Sequence, residues 1–437
     1  MKLFGYFRLQ YRPVVVGFFH PYCASGGGGE RVLWHSIRAL QKRYSFVRCV
    51  VYTGDVDKTP EAILSMVQNR FKLQLRDVDF VYLKRRGWVE ARCWPRFTIL
   101  GQSLGSMLLG LEAVLKLAPH VYMETTGYAF TLPIFRWLGG SRTASYVHYP
   151  TVSSDMLETV AKHTQSFNNS SAVSKSRALT FVKLTYYRLF ARLYGFMGRR
   201  SDVVMVNSSW THAHIRQLWS PRQLYIVYPP CDTASFNSLP IRRSSKPFRI
   251  VSVGQFRPEK NHRSQLRILR NLMQEAEGCA VTLVLAGGCR NTEDEERVAD
   301  LQHMARELHV ADCVEFKINL PFSSLREELG RAAAALHTME NEHFGISLVE
   351  CMAAGCVTVA HESGGPQQDI LLDWEGQPTG FLASSEEHFS SWLLYILHMS
   401  QSEREEIASR ARTAAHTKFS LEVFEASFLR ASEKLFG

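Results

Sequence analysis

The sequence lacks the patterns that mark several protein classes. Its nine cysteines form no C-x-x-C pair, so neither a disulfide framework nor a zinc knuckle is indicated. No low-complexity tract occurs, and 46% hydrophobic against 21% charged residues excludes a disordered chain. A single core rarely extends over 437 residues, so two domains are expected. The scattered cysteines favour reduced thiols and a cytosolic location.

The excess of positive charge is not organised for nucleic acid. The formal net charge is +10, but no zinc-finger or aromatic RNA-binding signature accompanies it. We therefore expect no nucleic-acid partner.

Long hydrophobic runs are also missing. A membrane-spanning helix needs about 20 mostly apolar residues, and the best window, residues 97–118, contains Gln102, Glu112 and Lys116. The window is more typical of a buried core helix than of a span. The first 16 residues are interrupted by Lys2, Arg8 and Arg12, which does not fit a signal peptide.

The segment 174–200 has basic residues and no acidic one. On a helix, Arg177, Arg188, Arg192 and Arg199 fall in one narrow stripe. Apolar residues cover the opposite side: Val182, Tyr186, Leu189, Phe190, Leu193, Phe196 and Met197. Such a helix can lie in a lipid interface. It can equally pack on its own domain with a solvated basic face.

Short apolar runs separated by helix-sized segments fill the chain. The first half has them at residues 13–20, 47–53, 78–83, 120–123, 144–149 and 203–207. The second half has them at residues 249–254, 281–287, 314–316, 332–337 and 356–360, and everything after Ser384 reads as helical. The polar stretch 235–247 is typical of an interdomain connection. The pattern predicts an α/β fold of two doubly wound, Rossmann-like domains facing across a cleft, with ligands at the carboxyl ends of the strands.

Four successive glycines, residues 26–29, follow the first strand and open the first helix. Glycines at a helix N-terminus let backbone N–H groups approach an anion closely. The pattern is neither G-x-G-x-x-G nor a P-loop, so neither a dinucleotide nor a P-loop triphosphate site is indicated. A flexible turn remains the alternative.

Two further groups of residues stand near predicted strand ends. Arg257 and Lys260 follow the first strand of the second half and could supply two cations to a diphosphate; taken alone, they could equally be solvated surface charges. Glu342 precedes a helix that contains Glu350, which places carboxylates where a hydroxyl-bearing ligand could bind. Gly364 and Gly365 form another tight loop, and Asp369 could be an ordinary residue at a helix start.

The E-x7-E spacing of Glu342 and Glu350, with R-x-x-K at Arg257 and Lys260, resembles the donor site of retaining GT-B glycosyltransferases that use nucleotide sugars. Longer strings resemble the GDP-mannose-dependent α-1,2-mannosyltransferases of asparagine-linked glycosylation. These strings are FFHPYCASGGGGERVLWHSIRAL, TTGYAFTLP, YVHYPTVSSDML, VNSSWTHAHI, GQFRPEKNH and NEHFGISLVECMAAG. The similarity runs from Val14 to Phe424.

The resemblance implies two substrates. The donor is GDP-mannose, and the acceptor is the trimannosyl-chitobiosyl diphosphodolichol intermediate, extended in α-1,2 linkage by two successive additions on the cytosolic face of the endoplasmic reticulum. Residues 1–230 would form the acceptor-binding domain and 231–418 the donor-binding domain. A helix in 419–437 would pack back toward the N-terminal domain. The implied partners also include the membrane surface and other mannosyltransferases of the pathway.

The resemblance also implies roles for individual residues. Arg257 and Lys260 neutralise the donor diphosphate, and Glu350 binds the ribose hydroxyls. Glu342 faces the mannosyl group. Backbone groups of Phe344, Gly345 and Ile346 contact the sugar or phosphate, and Gly28 and Gly29 close on the diphosphate from the other domain. His148 faces the transferred sugar, with a satisfied core histidine as the alternative.

No metal or cofactor is expected, because fixed cations and helix N-termini can stabilise the leaving diphosphate. D-x-D occurs at Asp55–Asp57 and Asp77–Asp79, apart from the other site residues, and we interpret these as loop or strand-edge acids. A metal-dependent GT-A enzyme would leave the second domain unexplained.

Other functions remain open on the residues alone. An enzyme with a UDP-sugar or another lipid acceptor is the nearest alternative, followed by a sugar-nucleotide epimerase and a non-catalytic scaffold.

Members of the family commonly carry an N-terminal membrane anchor, whereas residues 1–11 here contain no span. Membrane contact is therefore predicted at Arg177, Arg188, Arg192 and Phe196, together with residues 97–118.

Overall fold

Two compact units make up the chain in the computed structural model. The structure describes residues 13–152, 177–243, 247–276 and 280–436. Unit 1 comprises residues 1–229 and 424–437, and unit 2 comprises residues 230–423.

Unit 1 is built on a parallel sheet of seven strands. The strands are β1 (Val14–Phe19), β2 (Val47–Thr53), β3 (Val78–Tyr82), β4 (Val121–Glu124), β5 (Arg142–Val147), β6 (Val203–Val206) and β7 (Leu224–Ile226). Their order is β3-β2-β1-β4-β5-β6-β7, so the chain reverses its winding between β1 and β4. A ligand site is expected at the carboxyl ends of strands at such a reversal.

Helices connect these strands. They are α1 (Gly28–Arg43), α2 (Pro60–Phe71), α3 (Thr98–Lys116), α4 (Leu132–Trp137), α5 (Arg177–Gly198) and α6 (Ser209–Trp219). Short 3-10 turns occupy Arg86–Val89, Ala91–Cys93 and Ala129–Thr131. The central strands β1, β4 and β5 are buried on both faces, which explains why they read as continuous apolar runs.

Unit 2 repeats the plan with six parallel strands. They are β8 (Phe248–Val253), β9 (Val281–Gly287), β10 (Val314–Ile318), β11 (Ala334–His337), β12 (Val357–His361) and β13 (Phe381–Ala383), in the order β10-β9-β8-β11-β12-β13. The helices are α7 (His262–Glu275), α8 (Thr292–Glu307), α9 (Phe322–Arg331), α10 (Ile346–Ala354), α11 (Glu386–His398) and α12 (Gln401–Phe419). Short helical turns occupy Ala234–Phe236, Pro258–Lys260, Ala311–Cys313 and Pro366–Ile370.

The last helix, α13 (Leu421–Ser432), is followed by a 3-10 turn at Glu433–Leu435. From Phe424 onward it belongs to unit 1, where Phe424 and Phe428 join the core formed by β1, β2 and α1. Glu425 of the same helix pairs with Arg38 of α1. The C-terminal segment is therefore part of the N-terminal unit's core.

The predicted class of two Rossmann-like domains is confirmed. Each apolar run named from the sequence contains a strand, and the ends differ by one or two residues in most cases. The sequence analysis missed β7 and β13, which have three residues each. Strands this short are too brief to show a periodic pattern.

Candidate active site

Lys260 and Glu342 lie in direct contact in unit 2. Lys260 ends the 3-10 turn after β8, and its Nζ is 2.5 Å from Oε2 of Glu342. Nε2 of His337, the last residue of β11, is 3.2 Å from the same carboxylate oxygen. The carboxyl ends of the neighbouring strands β8 and β11 thus place Lys260 and His337 against the same carboxylate.

The main chain around Glu342 is held by the loop that follows β12. The N–H of Gly365 donates to the carbonyl of Glu342 at 2.7 Å, and the N–H of Asn341 donates to Oγ of Ser363 at 2.7 Å. Gly364 has φ +58, and a Cβ there would lie 2.3 Å from the carbonyl oxygen of Glu342. The tight glycine loop predicted from the sequence therefore supports the candidate catalytic residue. Asp369, interpreted as a possible helix-start residue, is buried in the turn Pro366–Ile370.

Glu342 is held ionised by its neighbours. Burial by itself would raise the pKa of this carboxyl, but the hydrogen bond from His337 and the charge of Lys260 lower its pKa well below the ordinary value. A carboxylate fixed in this state can accept hydrogen bonds from sugar hydroxyls and stabilise developing positive charge.

The other predicted donor residues lie around this group. Gly345 has φ +112 and stands immediately before α10, so Ile346 begins the helix and Glu350 is buried within it. The Phe344 ring is buried and packs edge-on against Phe419, with ring centroids 5.4 Å apart, which leaves the backbone as the part of Phe344 suited to a ligand. The positive end of the α10 dipole lies at Ile346.

Arg257 is half-buried, and its guanidinium is 3.6 Å from the carboxylate of Glu259. The residue stands just before the turn that carries Lys260. Unit 2 therefore brings Lys260 and Glu342 together beside the start of α10, and Arg257 stands three residues before Lys260.

In unit 1 the glycine run forms the start of α1. Gly27 is the N-cap, and its N–H donates to Oε2 of Glu30 at 2.6 Å. Gly28 is exposed and Gly29 half-buried in the first turn, as an anion site at a helix N-terminus requires. A Cβ at Gly29 would lie 3.6 Å from Nε2 of His148, so the glycine loop and His148 are neighbours.

His148 follows β5 and is half-buried. Its Nε2 is 3.2 Å from the carbonyl oxygen of Thr125, the residue after β4. Because a carbonyl only accepts, that nitrogen carries the proton of this hydrogen bond. His148 is therefore anchored at the carboxyl edge of the sheet.

Asp55 and Asp79, one acid from each D-x-D sequence, serve local structure. Asp55 pairs with Arg86 and accepts from the N–H of Ala24 at 3.0 Å. Asp79 pairs with Arg48 at 2.5 Å. These contacts agree with the interpretation of these two residues as loop and strand-edge acids.

The surface around α5 mixes exposed apolar and basic side chains. Arg188 and Arg192 are exposed, and so are Phe181, Leu189 and Phe196, with Phe196 46% exposed. Arg177 belongs to α5, but its side chain lies outside the part that the structure describes. Leu189 and Phe196 lie beside the arginine stripe, while Phe190 and Tyr194 pack into the core.

Helix α3 packs beside this surface. The N–H of Leu100 donates a hydrogen bond to the hydroxyl of Tyr186, and the ring centroids of Tyr186 and Phe97 are 5.4 Å apart. Within the described residues, α3 is the helix long and apolar enough to span a membrane, and 44% of it is buried. Leu104, Leu108 and Leu115 of α3 are exposed.

The sequence analysis missed His20, Glu30, Thr125 and His337 as site residues. His20 and His337 stand at the carboxyl ends of apolar runs, which is the signal that could have found them. Thr125, one partner of His20, is 105 residues away in the sequence, and that pairing only the fold shows.

Solved structures with low sequence identity share this fold. One is the Anabaena protein Alr3699/HepE in complex with UDP and glucose, with TM-score 0.67 and 15% identity over 96% of this chain and 100% of that one. Another is sucrose-phosphate synthase from Thermosynechococcus elongatus, with TM-score 0.69 and 14% identity over 97% and 99%. The model of glycosyl transferases group 1 matches residues 237–414. The fold and this match define a GT-B glycosyltransferase.

The model of the ALG11 mannosyltransferase N-terminus matches residues 13–219. Several relatives are named GDP-Man:Man(3)GlcNAc(2)-PP-Dol alpha-1,2-mannosyltransferase. The one from Mus musculus is 51% identical to this chain, and the match covers 96% of this chain and 87% of the relative. The one from Homo sapiens is 50% identical, and the match covers 97% of this chain and 87% of the relative. The Caenorhabditis elegans relative of the same name is 43% identical over 99% and 93%. The chain belongs to this family of α-1,2-mannosyltransferases, which confirms the resemblance seen in the sequence.

Proposed function

We propose that the chain transfers mannose from GDP-mannose, in α-1,2 linkage, onto the trimannosyl-chitobiosyl diphosphodolichol intermediate, in two successive additions. The observation that carries this proposal is the contact of Lys260 with Glu342 beside the start of α10, in a chain about half identical to enzymes of that name. Arg257 stands three residues before Lys260. We place the reaction on the cytosolic face of the endoplasmic reticulum membrane.

The donor's leaving group sets the electrostatic requirement. When the bond between the mannosyl carbon and the diphosphate breaks, negative charge develops on GDP. Arg257, Lys260 and the positive end of α10 are fixed charges of the required sign. In unit 1, Gly28 and Gly29 offer a second helix N-terminus for diphosphate oxygens. This supports transfer without a metal ion, which is part of the proposal.

Glu342, His148 and Glu350 receive the remaining roles. Glu342 is an ionised, nearly buried carboxylate and binds the mannosyl group. His148 faces the transferred sugar from the carboxyl edge of the unit 1 sheet. Glu350 binds the ribose hydroxyls, since it is held on the first turns of α10.

The acceptor's lipid requires a membrane surface, and we assign its contact to α5 with α3. Exposed Phe196 and Leu189 can enter the headgroup boundary, while Arg188 and Arg192 bind lipid phosphates. Other mannosyltransferases of the pathway are proposed partners at the same membrane.

A transfer assay tests the proposal. Radiolabelled GDP-mannose is incubated with the purified chain and phytanyl or dolichyl diphosphate trimannosyl chitobiose, with UDP-sugars and EDTA in parallel arms. We expect a product one and then two hexoses larger, sensitive to an α-1,2-mannosidase and formed despite EDTA. Turnover of a UDP-sugar without use of GDP-mannose would overturn the donor assignment, and loss of product in EDTA would overturn the metal-free mechanism.

A further inference from the structure

His20 lies beneath the glycine loop of unit 1 and has a partner at each ring nitrogen. It follows β1 and is only 2% exposed. Its Nδ1 is 2.8 Å from Oγ1 of Thr125, and its Nε2 is 3.3 Å from Oε1 of Glu30. The ring therefore joins the end of β1, the loop after β4 and the first turn of α1.

The two partners fix the orientation of the ring. An ionised carboxylate only accepts, so Nε2 of His20 donates to Glu30, which receives the Gly27 N–H on its other oxygen. The hydroxyl of Thr125 bonds to Nδ1 of His20 and also lies 3.1 Å from the carbonyl oxygen of Phe19.

We propose that His20 is a positioning residue that ties the start of α1 to the residue that anchors His148. Its Nε2 holds Glu30 and with it the cap of the glycine loop. Its Nδ1 holds Thr125, whose carbonyl receives the Nε2–H of His148. The inference rests on the proposed function, because that function assigns the glycine loop and His148 to the reaction.

Several charged and titratable groups lie near this ring. Glu30 and Arg31 lie on α1, Cys23 and Asp55 on the loops after β1 and β2, Glu124 on β4, and His148 after β5. Glu124 is directed to the N–H groups of Thr126 and Gly127, and Asp55 pairs with Arg86. Glu30 is therefore the carboxylate that faces the ring, and although burial raises its pKa, the hydrogen bond with His20 lowers its pKa overall.

Substitutions that each keep one of the two bonds test the positioning role. His20→Asn keeps a donor near the Nδ1 position, and His20→Gln keeps one near the Nε2 position. His35→Gln is the matched control, because His35 is equally buried on α1 but lies outside this group of residues. Steady-state kinetics with GDP-mannose, GDP binding by calorimetry and thermal unfolding are measured for all three.

We expect both His20 variants to lose about tenfold or more in kcat, since a displacement of about 1 Å at a reacting group has large effects. GDP affinity should decrease less than kcat, because Arg257, Lys260 and the start of α10 remain to bind the diphosphate when Gly28 and Gly29 shift. His35→Gln should keep kcat near wild type. Equal effects of His20→Gln and His35→Gln, or loss of kcat only in proportion to lost folded protein, would overturn the role.

Failure of the proposed function would appear differently, as absent transfer by the wild type. A wild type that transfers mannose, together with His20→Asn and His20→Gln variants that keep its kcat, would overturn the positioning role alone.

Discussion

Lys260 and Glu342 form an ion pair, with Nζ and Oε2 2.5 Å apart. The cation proposed for the diphosphate and the carboxylate proposed for the sugar are thus partners of each other. Under this proposal, a donor diphosphate that binds Lys260 has to share the ammonium with Glu342. We therefore expect the charge of Glu342 to oppose GDP binding while it serves the transfer.

Glu342→Ala should separate these two effects. We expect transfer to be abolished, because the carboxylate that faces the sugar is removed. Binding of GDP should be unchanged or tighter, because Lys260 is released to the phosphates. Calorimetric titration with GDP and the transfer assay measure the two effects, and weaker GDP binding in this variant would contradict the arrangement.

Arg257→Ala should weaken GDP binding. Loss of a charge-assisted hydrogen bond to phosphate predicts a decrease in affinity of about ten- to hundredfold. Glu259→Ala is the control, since it removes the exposed partner of Arg257 and keeps the guanidinium. Equal GDP affinity in the Arg257 and Glu342 variants would show that their roles are assigned wrongly.

Gly364→Ala should displace the main chain of Glu342. Gly364 and Gly376 both have positive φ, +58 and +76, but a Cβ at Gly364 meets the carbonyl of Glu342 at 2.3 Å, whereas nothing lies within 4 Å of one at Gly376. Both substitutions therefore strain the backbone, but the one at Gly364 also produces a clash. We expect Gly364→Ala to lower the free energy of unfolding by about 2 kcal/mol more than Gly376→Ala does. Urea unfolding and kcat of the two variants provide the comparison, and identical losses would argue against the clash.

Charge reversal on α5 should weaken membrane binding. The double variant Arg188→Glu/Arg192→Glu should bind vesicles containing phosphatidylserine at least about tenfold more weakly, since each basic residue near an anionic surface contributes about 1 kcal/mol. Arg270→Glu/Arg306→Glu makes the same charge change at exposed positions of α7 and α8 in unit 2. Vesicle flotation measures the membrane binding of both double variants. Equal loss of binding in the two would mean that net charge, and not the α5 surface, governs binding.

Acid should destabilise unit 1 through His35. Burial and the charges of Arg38 and Arg31 lower the pKa of His35 from 6.5 to about 3. Between these values the unfolded chain binds a proton that the folded chain does not, so stability decreases by about 1.4 kcal/mol for each pH unit as pH falls. His35→Gln lacks this dependence. The difference in unfolding free energy between wild type and variant, measured from pH 6.5 down to 5, should shift in favour of the variant.

Much of the fold could be predicted because its signals are local. Buried parallel strands such as β2 and β9 read as continuous apolar runs, and their bounds were predicted to the residue. The glycine run predicted the start of α1 for the same reason, since backbone freedom is a property of the residues themselves. Strands β7 and β13 were not predicted, because a strand of three residues is too short to show a periodic pattern.

The residues proposed for the site were found largely through motif resemblance. Their ionisation and their packing could not be predicted from the sequence. Nothing in the local sequence around Glu342 shows that His337 and Lys260 hold it ionised, or that Gly364 supports its backbone. The amphipathic pattern of α5 left open whether its apolar side packs in the core or faces outward, and in the structure Phe190 and Tyr194 are buried while Leu189 and Phe196 are exposed.

The sequence by itself thus determined the two parallel-sheet units, the family and the residue types available for chemistry, because periodicity, glycine placement and motif spacing act over short distances. The tertiary structure decided which of those residues meet. His20 reaches Thr125 across 105 positions of the chain, and Lys260 reaches Glu342 across 82. Such contacts arise because parallel strands bring their carboxyl ends to one edge of the sheet, and the protonation of each buried group follows from the neighbours found there.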